Sequence, residues 1–339
     1  MKLNTPRWWY TRDRSHAPIT RMALKPLSWV WAGVTARKIA NTKGYAPGIP
    51  VISVGNLTVG GSGKTPITRE ILRLLREQGH APSALSRGYG GKLEGPVVVD
   101  LDTHSAEDVG DEPLMLAQDG MVVISRDRVA GAKAAVAAGA DYLVMDDGHQ
   151  NPSLIKDISL IVVDGETRND EWPFGDGSVF PSGPMREPIA AGLARADAVI
   201  VLLPTDLDKA DPELIAVFGD LPVFTARLAA ISAPPAGPQV GFAGIAKPWK
   251  VERSLIAAGC DLKDFVPLPD HAILTKDQFN FLKERAKVFD AGLVTTEKDW
   301  VRLSPEKRES IQAWPLNARF DDPAGFTKWL VADNVIAPT

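Results

Sequence analysis

The stretch Pro50-Val51-Ile52-Ser53-Val54-Gly55-Asn56-Leu57-Thr58-Val59-Gly60-Gly61-Ser62-Gly63-Lys64-Thr65-Pro66 constrains this chain more than any other. It reads as a buried strand, a glycine-rich loop and the first turn of a helix, the construction of a phosphate-binding loop. Glycine lets successive backbone N–H groups turn inward around phosphate oxygens with no side chain in the way. Thr58, Val59, Gly60, Gly61, Ser62, Gly63, Lys64 and Thr65 are the expected cradle, with Lys64 reaching the β- and γ-phosphates and Thr65 ligating Mg²⁺. Pro66 suits a first helical turn, where its missing N–H costs nothing. Ile67, Ile71, Leu74 and Leu75 then supply an apolar helical face. Thr58 stands where the general pattern has glycine. The strand before the loop and the helix after it still favour a nucleoside triphosphate site over an ordinary flexible turn.

Beyond the loop, short apolar runs alternate with helical stretches. Strands are expected at Ser83–Ser86, Val97–Val99, Val122–Ser125, Tyr142–Met145, Leu160–Val163, Ala198–Leu202 and Val223–Ala226, with a helix at Arg128–Ala138. That alternation predicts an α/β fold with a mostly parallel sheet flanked by helices. A proline-rich interval from Ile231 to Pro238 reads as a linker. After it, strands at Gln239–Phe242 and Ala291–Thr295 flank helices at Lys250–Ala258 and Lys276–Ala286, a smaller α/β unit. The expected division is a basic amphipathic N-terminal segment (1–45), a domain built on the phosphate loop (46–230) and the smaller domain (231–339).

The net charge of −4 gives no reason to expect nucleic acid as a partner, and the lone Cys260 excludes an intramolecular disulfide and any multi-cysteine zinc site. The total hides an asymmetry: residues 1–43 hold nine Lys and Arg against one acid, Asp13, and four of the nine tryptophans. Leu24, Leu27, Trp31 and Val34 fall at helical spacing, with Arg21, Lys25 and Ser28 on another side. Cationic side chains beside interfacial aromatics describe a helix lying in a membrane surface. A helix packing its apolar face on its own domain would give the same pattern. The uncharged run Pro26–Ala36 is far short of the roughly 20 residues needed to span a bilayer, and no secretory h-region precedes it. Peripheral association from the cytoplasmic side is therefore expected.

A phosphate loop needs an acid at the end of a neighbouring strand, and Tyr142–Met145 runs into Asp146-Asp147-Gly148-His149-Gln150. Acids at a strand's carboxyl end lie where open α/β sheets bind ligands. A second pair, Asp111-Glu112, precedes Pro113; acids are common in a first helical turn for dipole reasons alone. His271 follows Leu268-Pro269-Asp270 in a polar turn, a place where a histidine is more often a surface residue than a base. Gly175–Ser178 and Pro181–Pro188 form a loop rich in Gly and Pro, suited equally to structure and to an anionic ligand.

Taken together, these motifs resemble the tetraacyldisaccharide 4′-kinase family, the lipid A 4′-kinases of Gram-negative bacteria. The resemblance rests on Val54–Pro66, Leu85-Ser86-Arg87-Gly88-Tyr89-Gly90, Val109-Gly110-Asp111-Glu112-Pro113, Asp146–Gln150, Pro181–Pro188, Pro269-Asp270-His271 and Thr295-Thr296-Glu297-Lys298-Asp299, in the family's order. Thr58 is itself usual there. The chain departs from the family pattern at His149 and Asn151, at Ala272, and at Asp176 in Gly-Asp-Gly. The resemblance implies ATP- and Mg²⁺-dependent phosphorylation of the 4′-hydroxyl of tetraacyldisaccharide 1-phosphate, a lipid substrate, at the cytoplasmic face of the bacterial inner membrane. No protein partner is implied. It assigns Lys64 and Asp147 to catalysis, Asp111 with His271 to a proton-accepting dyad, and Thr65, Asp146 and Glu112 to the metal. Arg87 and Arg186 become candidates for the substrate's polar head. A membrane-recruited NTPase switch and a soluble kinase or ligase acting on a small metabolite are the competing readings.

Overall fold

The computed structural model describes residues 6–13, 15–204, 206–270 and 272–331. A 3₁₀ turn (Arg7–Tyr10) and α1 (Pro18–Asn41) lead to β1 (Val51–Gly55), the phosphate loop and α2 (Lys64–Glu77). Then come β2 (Pro82–Ser86), β3 (Val97–Val98), α3 (Ala106–Val109), α4 (Asp111–Ala117), β4 (Val122–Ile124), α5 (Arg128–Ala137) and β5 (Tyr142–Asp146). β6 (Ile158–Asp164), α6 (Ile189–Leu193), β7 (Ala198–Leu203), α7 (Pro212–Ala216) and β8 (Val223–Ala230) extend the same layer. The second unit contains β9 (Pro238–Ala243), α8 (Pro248–Ala257), β10 (Asp261–Pro267), α9 (Lys276–Val288), β11 (Gly292–Thr296), α10 (Glu297–Trp300), α11 (Pro305–Arg308) and β12 (Ile311–Trp314). β13 (Leu316–Phe320) and α12 (Pro323–Val331) close the described chain.

Among the described residues nine strands form the large sheet, in the order β13-β8-β7-β6-β1-β5-β2-β4-β3, and four form the small one, β10-β9-β11-β12. Only β3 and β13 run antiparallel to their neighbours. β1, β2, β5 and β7 are buried along their whole length, as parallel strands covered by helices on both faces must be. The expected mostly parallel α/β fold with a smaller C-terminal α/β unit is what the chain adopts.

Residues 316–331, expected in the smaller unit, return to the large sheet instead. β13 pairs antiparallel with β8 from Ala226 to Ala230. Phe326 of α12 stacks on Phe320 at 3.8 Å and meets Phe224 edge-on at 5.0 Å. Those rings belong to the core that also holds Ile67 and Ile71 of α2, so burial of an aromatic cluster decides where this segment goes.

α1 (Pro18–Asn41) turns most of its apolar side outward and buries two polar residues. Arg21 and Ser28 are buried, whereas Ile19, Met22, Leu27, Trp29, Val30, Trp31 and Val34 are exposed. The polar pair is drawn inward by partners far along the chain: Arg21 forms a buried ion pair with Asp176 (2.7 Å), and Ser28 Oγ accepts from Ser182 N (3.1 Å). Trp31 alone of these reaches the domain, donating Nε1 to Arg186 O at 3.0 Å and meeting Phe180 edge-on at 4.9 Å, and the rest of the apolar side faces outward. No helix among the described residues is long and apolar enough to cross a membrane.

Candidate active site

The phosphate loop leaves β1 at the carboxyl edge of the sheet and enters α2 through Gly63. Gly60 (φ +110°) and Gly63 (φ +85°) hold left-handed conformations that L side chains rarely adopt. A Cβ on Gly63 would also lie 2.2 Å from Leu202 Cδ2. The 181–188 loop braces the cradle from outside: Val59 N donates to Pro184 O (2.7 Å) and Arg186 N to Leu57 O (2.7 Å). Tyr10 adds a third brace by donating its hydroxyl to Val59 O at 2.8 Å. The second unit faces the loop, and Lys247 and Trp249 join Tyr10, Gly60 and Gly61 in lining one pocket.

β5 neighbours β1, and their register sets Val54 beside Asp146. Asp146 is therefore placed under the loop, accepting from Thr65 Oγ1 and Thr68 Oγ1, both at 3.2 Å. Burial and the charge of Glu112 push its carboxyl up to about 7. Asp147 has φ +56° and turns outward, 3.6 Å from Lys64 Nζ and 2.6 Å from Arg186 Nη1. Although desolvation pushes the other way, Lys64 and Arg186 hold Asp147 down to about 2.

Asp111 and Glu112 open α4 on the same carboxyl edge. Asp111 is buried and accepts from Arg302 Nε at 2.9 Å, while Glu112 accepts from Lys298 Nζ at 2.9 Å. Burial lowers the Lys298 pKa, but Glu112 and Asp111 outweigh it and the net shift is upward. Glu112 thus faces a second-unit lysine while its charge still reaches Asp146, whereas Thr65 and Asp146 form the tighter pair. Arg186 donates to Asp147 Oδ1 (2.6 Å) and to Thr58 O (3.0 Å), which ties it to the phosphate loop. Arg87 is exposed just beyond β2. His271 lies outside the described residues. Arg302 and Tyr10 were not expected here, and Lys298 stood in a motif without a role; Lys298 and Arg302 reach their partners across 186–191 residues of chain.

These residues fit a Mg²⁺-bound nucleoside triphosphate. Ser62 Oγ in the loop is buried with no hydrogen-bond partner among the described residues, as a hydroxyl awaiting a phosphate oxygen would be. Among the described residues no group of three or more His, Cys, Asp and Glu could hold a metal by itself. Mg²⁺ commonly takes only one or two protein oxygens and completes its shell with phosphate and water, which Thr65 and Asp146 can satisfy.

Beneath the site, His149 is fully buried, with Nδ1 3.0 Å from Ser159 Oγ and Nε2 3.1 Å from Gly192 O. Burial, reinforced by Arg195 and Lys156, pushes its pKa from 6.5 down to about 3. Below about pH 6.5 the unfolded chain binds a proton that the folded one refuses, so stability falls as pH drops. The slope from this residue is up to about 1.4 kcal/mol per pH unit. His149→Gln is expected to flatten the melting-temperature profile between about pH 6.5 and 5 relative to wild type. Parallel profiles would contradict this account of His149.

The family model for tetraacyldisaccharide-1-P 4′-kinase matches residues 20–334. The tetraacyldisaccharide 4′-kinase of Caulobacter vibrioides is 63% identical over 96% of this chain and 97% of its own length. That of Hyphomonas neptunium is 45% identical over 96% and 94%. Among solved structures, LpxK from Aquifex aeolicus, crystallised in complex with ATP, matches with a TM-score of 0.72 at 25% identity, covering 92% of this chain and 98% of its own.

Proposed function

Because the chain belongs to the tetraacyldisaccharide-1-P 4′-kinase family, we propose that the carboxyl edge of its large sheet is where a phosphoryl group passes from ATP to a lipid hydroxyl. The chain is an ATP-dependent kinase, and its acceptor is the 4′-hydroxyl of a tetraacylated disaccharide 1-phosphate, a lipid A precursor. One observation carries the assignment of roles: Lys64, Thr65, Asp146, Asp147 and Asp111 converge on one sheet edge, and the charge of Glu112 reaches Asp146.

The loop amides and Lys64 bind the β- and γ-phosphates, and Asp147 orients Lys64. Thr65 and Asp146 would hold Mg²⁺, which supplies neutralisation of the phosphate charge when bound. Asp111, with His271, accepts the proton of the 4′-hydroxyl; the exposed Arg87, and Arg186 beside the phosphate loop, meet the lipid's polar head. A loose phosphoryl-transfer transition state asks for this kind of positioning and charge balance more than for covalent help.

The exposed apolar side of α1, with Lys25, Arg37 and Lys38 on the same helix, lies in the membrane surface at the cytoplasmic face of the inner membrane. The substrate then reaches the cleft without leaving the bilayer. Two experiments test this reading. Protein, Mg²⁺, γ-labelled ATP and tetraacyldisaccharide 1-phosphate in detergent micelles should yield labelled lipid; label released only as free phosphate would favour an NTPase switch. In flotation assays with anionic vesicles, a Trp29→Ser, Val30→Ser, Val34→Ser triple variant should lose binding that the wild type retains. Equal flotation of the two would remove α1 from the membrane.

A further inference from the structure

The turn Glu297-Lys298-Asp299 has no part in the chemistry derived above, yet each of its charged side chains has a defined partner. Glu297 accepts from Arg69 Nη1 (2.6 Å) on α2, the helix that begins at Lys64. Lys298 Nζ donates to Glu112 Oε1 at 2.9 Å and lies 3.9 Å from Asp111 Oδ2. Asp299 accepts from Gly244 N and Arg302 Nη1, both at 3.0 Å, and Arg302 Nε donates to Asp111. Thr296 Oγ1 caps the turn by accepting from Asp299 N at 3.0 Å. One turn of the small sheet therefore grips both the phosphate-loop helix and the acidic start of α4.

Pairing buried ions is costly unless their remaining bonds are satisfied, and such networks are poor sources of stability. What this one supplies is charge balance at a particular place. Asp111, Glu112 and Asp146 gather negative charge where an anionic phosphate chain must also sit. Lys298 and Arg302, brought by the second unit, offset that charge and fix the direction of both α4 carboxylates.

We propose that Lys298 is a positioning residue for the phosphoryl transfer: acting through Glu112 and Asp111, it holds their carboxylates in register with the phosphate loop while the second unit is docked. The inference rests on the reading of Asp111 as the group beside the acceptor hydroxyl. Misplacing a reacting group by about 1 Å costs up to ~10²-fold in rate, which sets the size of the effect.

The test compares wild type, Lys298→Met, Lys298→Arg, Glu112→Gln and the Met/Gln double variant in the micelle transfer assay, with melting temperatures alongside. Lys298→Met should lower kcat about 10–100-fold while the KM for ATP moves less than about three-fold. Lys298→Arg, which keeps the cation, should recover most of the lost rate. In the Glu112→Gln background the Met substitution should cost less than it does in wild type, because the charge pair with Glu112 is already lost and only the 3.9 Å approach to Asp111 Oδ2 keeps its ionic character. Wild-type kcat in Lys298→Met would overturn the inference. So would a loss that appears equally in KM and melting temperature and is not rescued by arginine, the behaviour of a merely structural contact. A wild-type protein that labels no lipid would overturn the reading of the site instead, so the two failures are distinguishable.

Discussion

Lys64→Ala is expected to lower kcat for lipid phosphorylation by about 10²–10³-fold, the usual loss when one preorganised charge facing a transition state is removed. The fold should survive the change. Lys64 lies 3.6 Å from Asp147, which keeps its shorter 2.6 Å contact with Arg186. The loop itself stays braced through Val59 N and Pro184 O. Rate assays and thermal melts on the same preparation check this together: the rate should collapse and the melt should not. A variant within about three-fold of wild type would mean that the loop does not hold the transferred phosphate.

Asp111→Asn should cost comparably, about 10²–10⁴-fold, because an amide cannot take the hydroxyl proton. Here a second effect competes. Asp111 is buried against Arg302, so the substitution also weakens a buried ion pair, although Asp299 still accepts from Arg302 Nη1 at 3.0 Å. Loss of activity alone would therefore not identify a base. ATP affinity and melting temperature must be measured beside it. The prediction is that nucleotide binding persists and single-turnover transfer does not. If transfer falls only in proportion to the folded, ATP-binding fraction, Asp111 is a structural acid.

The parts of the site that could be read from the sequence are those assembled within one stretch of chain. The strand–loop–helix around Lys64 and the strand ending in Asp146-Asp147 are each local, and their side-chain types are chemically specific. The rest is set by contacts between distant segments. β10 is an edge strand with a half-exposed pattern, β12 is four residues long, and β13 owes its place to pairing with β8 and to the stack on Phe320. None of the three carries a strong period of its own. The 3.6-residue period of α1 correctly indicated a helix, but which side is buried is decided by Asp176 and Ser182, about 155 residues away. The contacts of Arg186 with Asp147 and Thr58 are a pairing that no local pattern encodes. The Thr295–Asp299 motif stood out in the sequence without a role, and its partners Arg69, Asp111 and Glu112 lie in the other unit.

This geometry also bears on how the two units cooperate. Lys247 and Lys250 of the second unit pair with the partly buried Asp164 at 2.9 and 2.5 Å, and Lys298 and Arg302 pair with the acids of α4. The cleft over the phosphate loop is thus tied on both sides by charge pairs between the units.

The most direct measurement of the central claim is ³¹P NMR of the lipid recovered after a single turnover with ATP and Mg²⁺. The account predicts one new phosphomonoester at the 4′ position, absent when Lys64→Ala replaces the wild type. Inorganic phosphate alone, or a new phosphate on another hydroxyl, would contradict it.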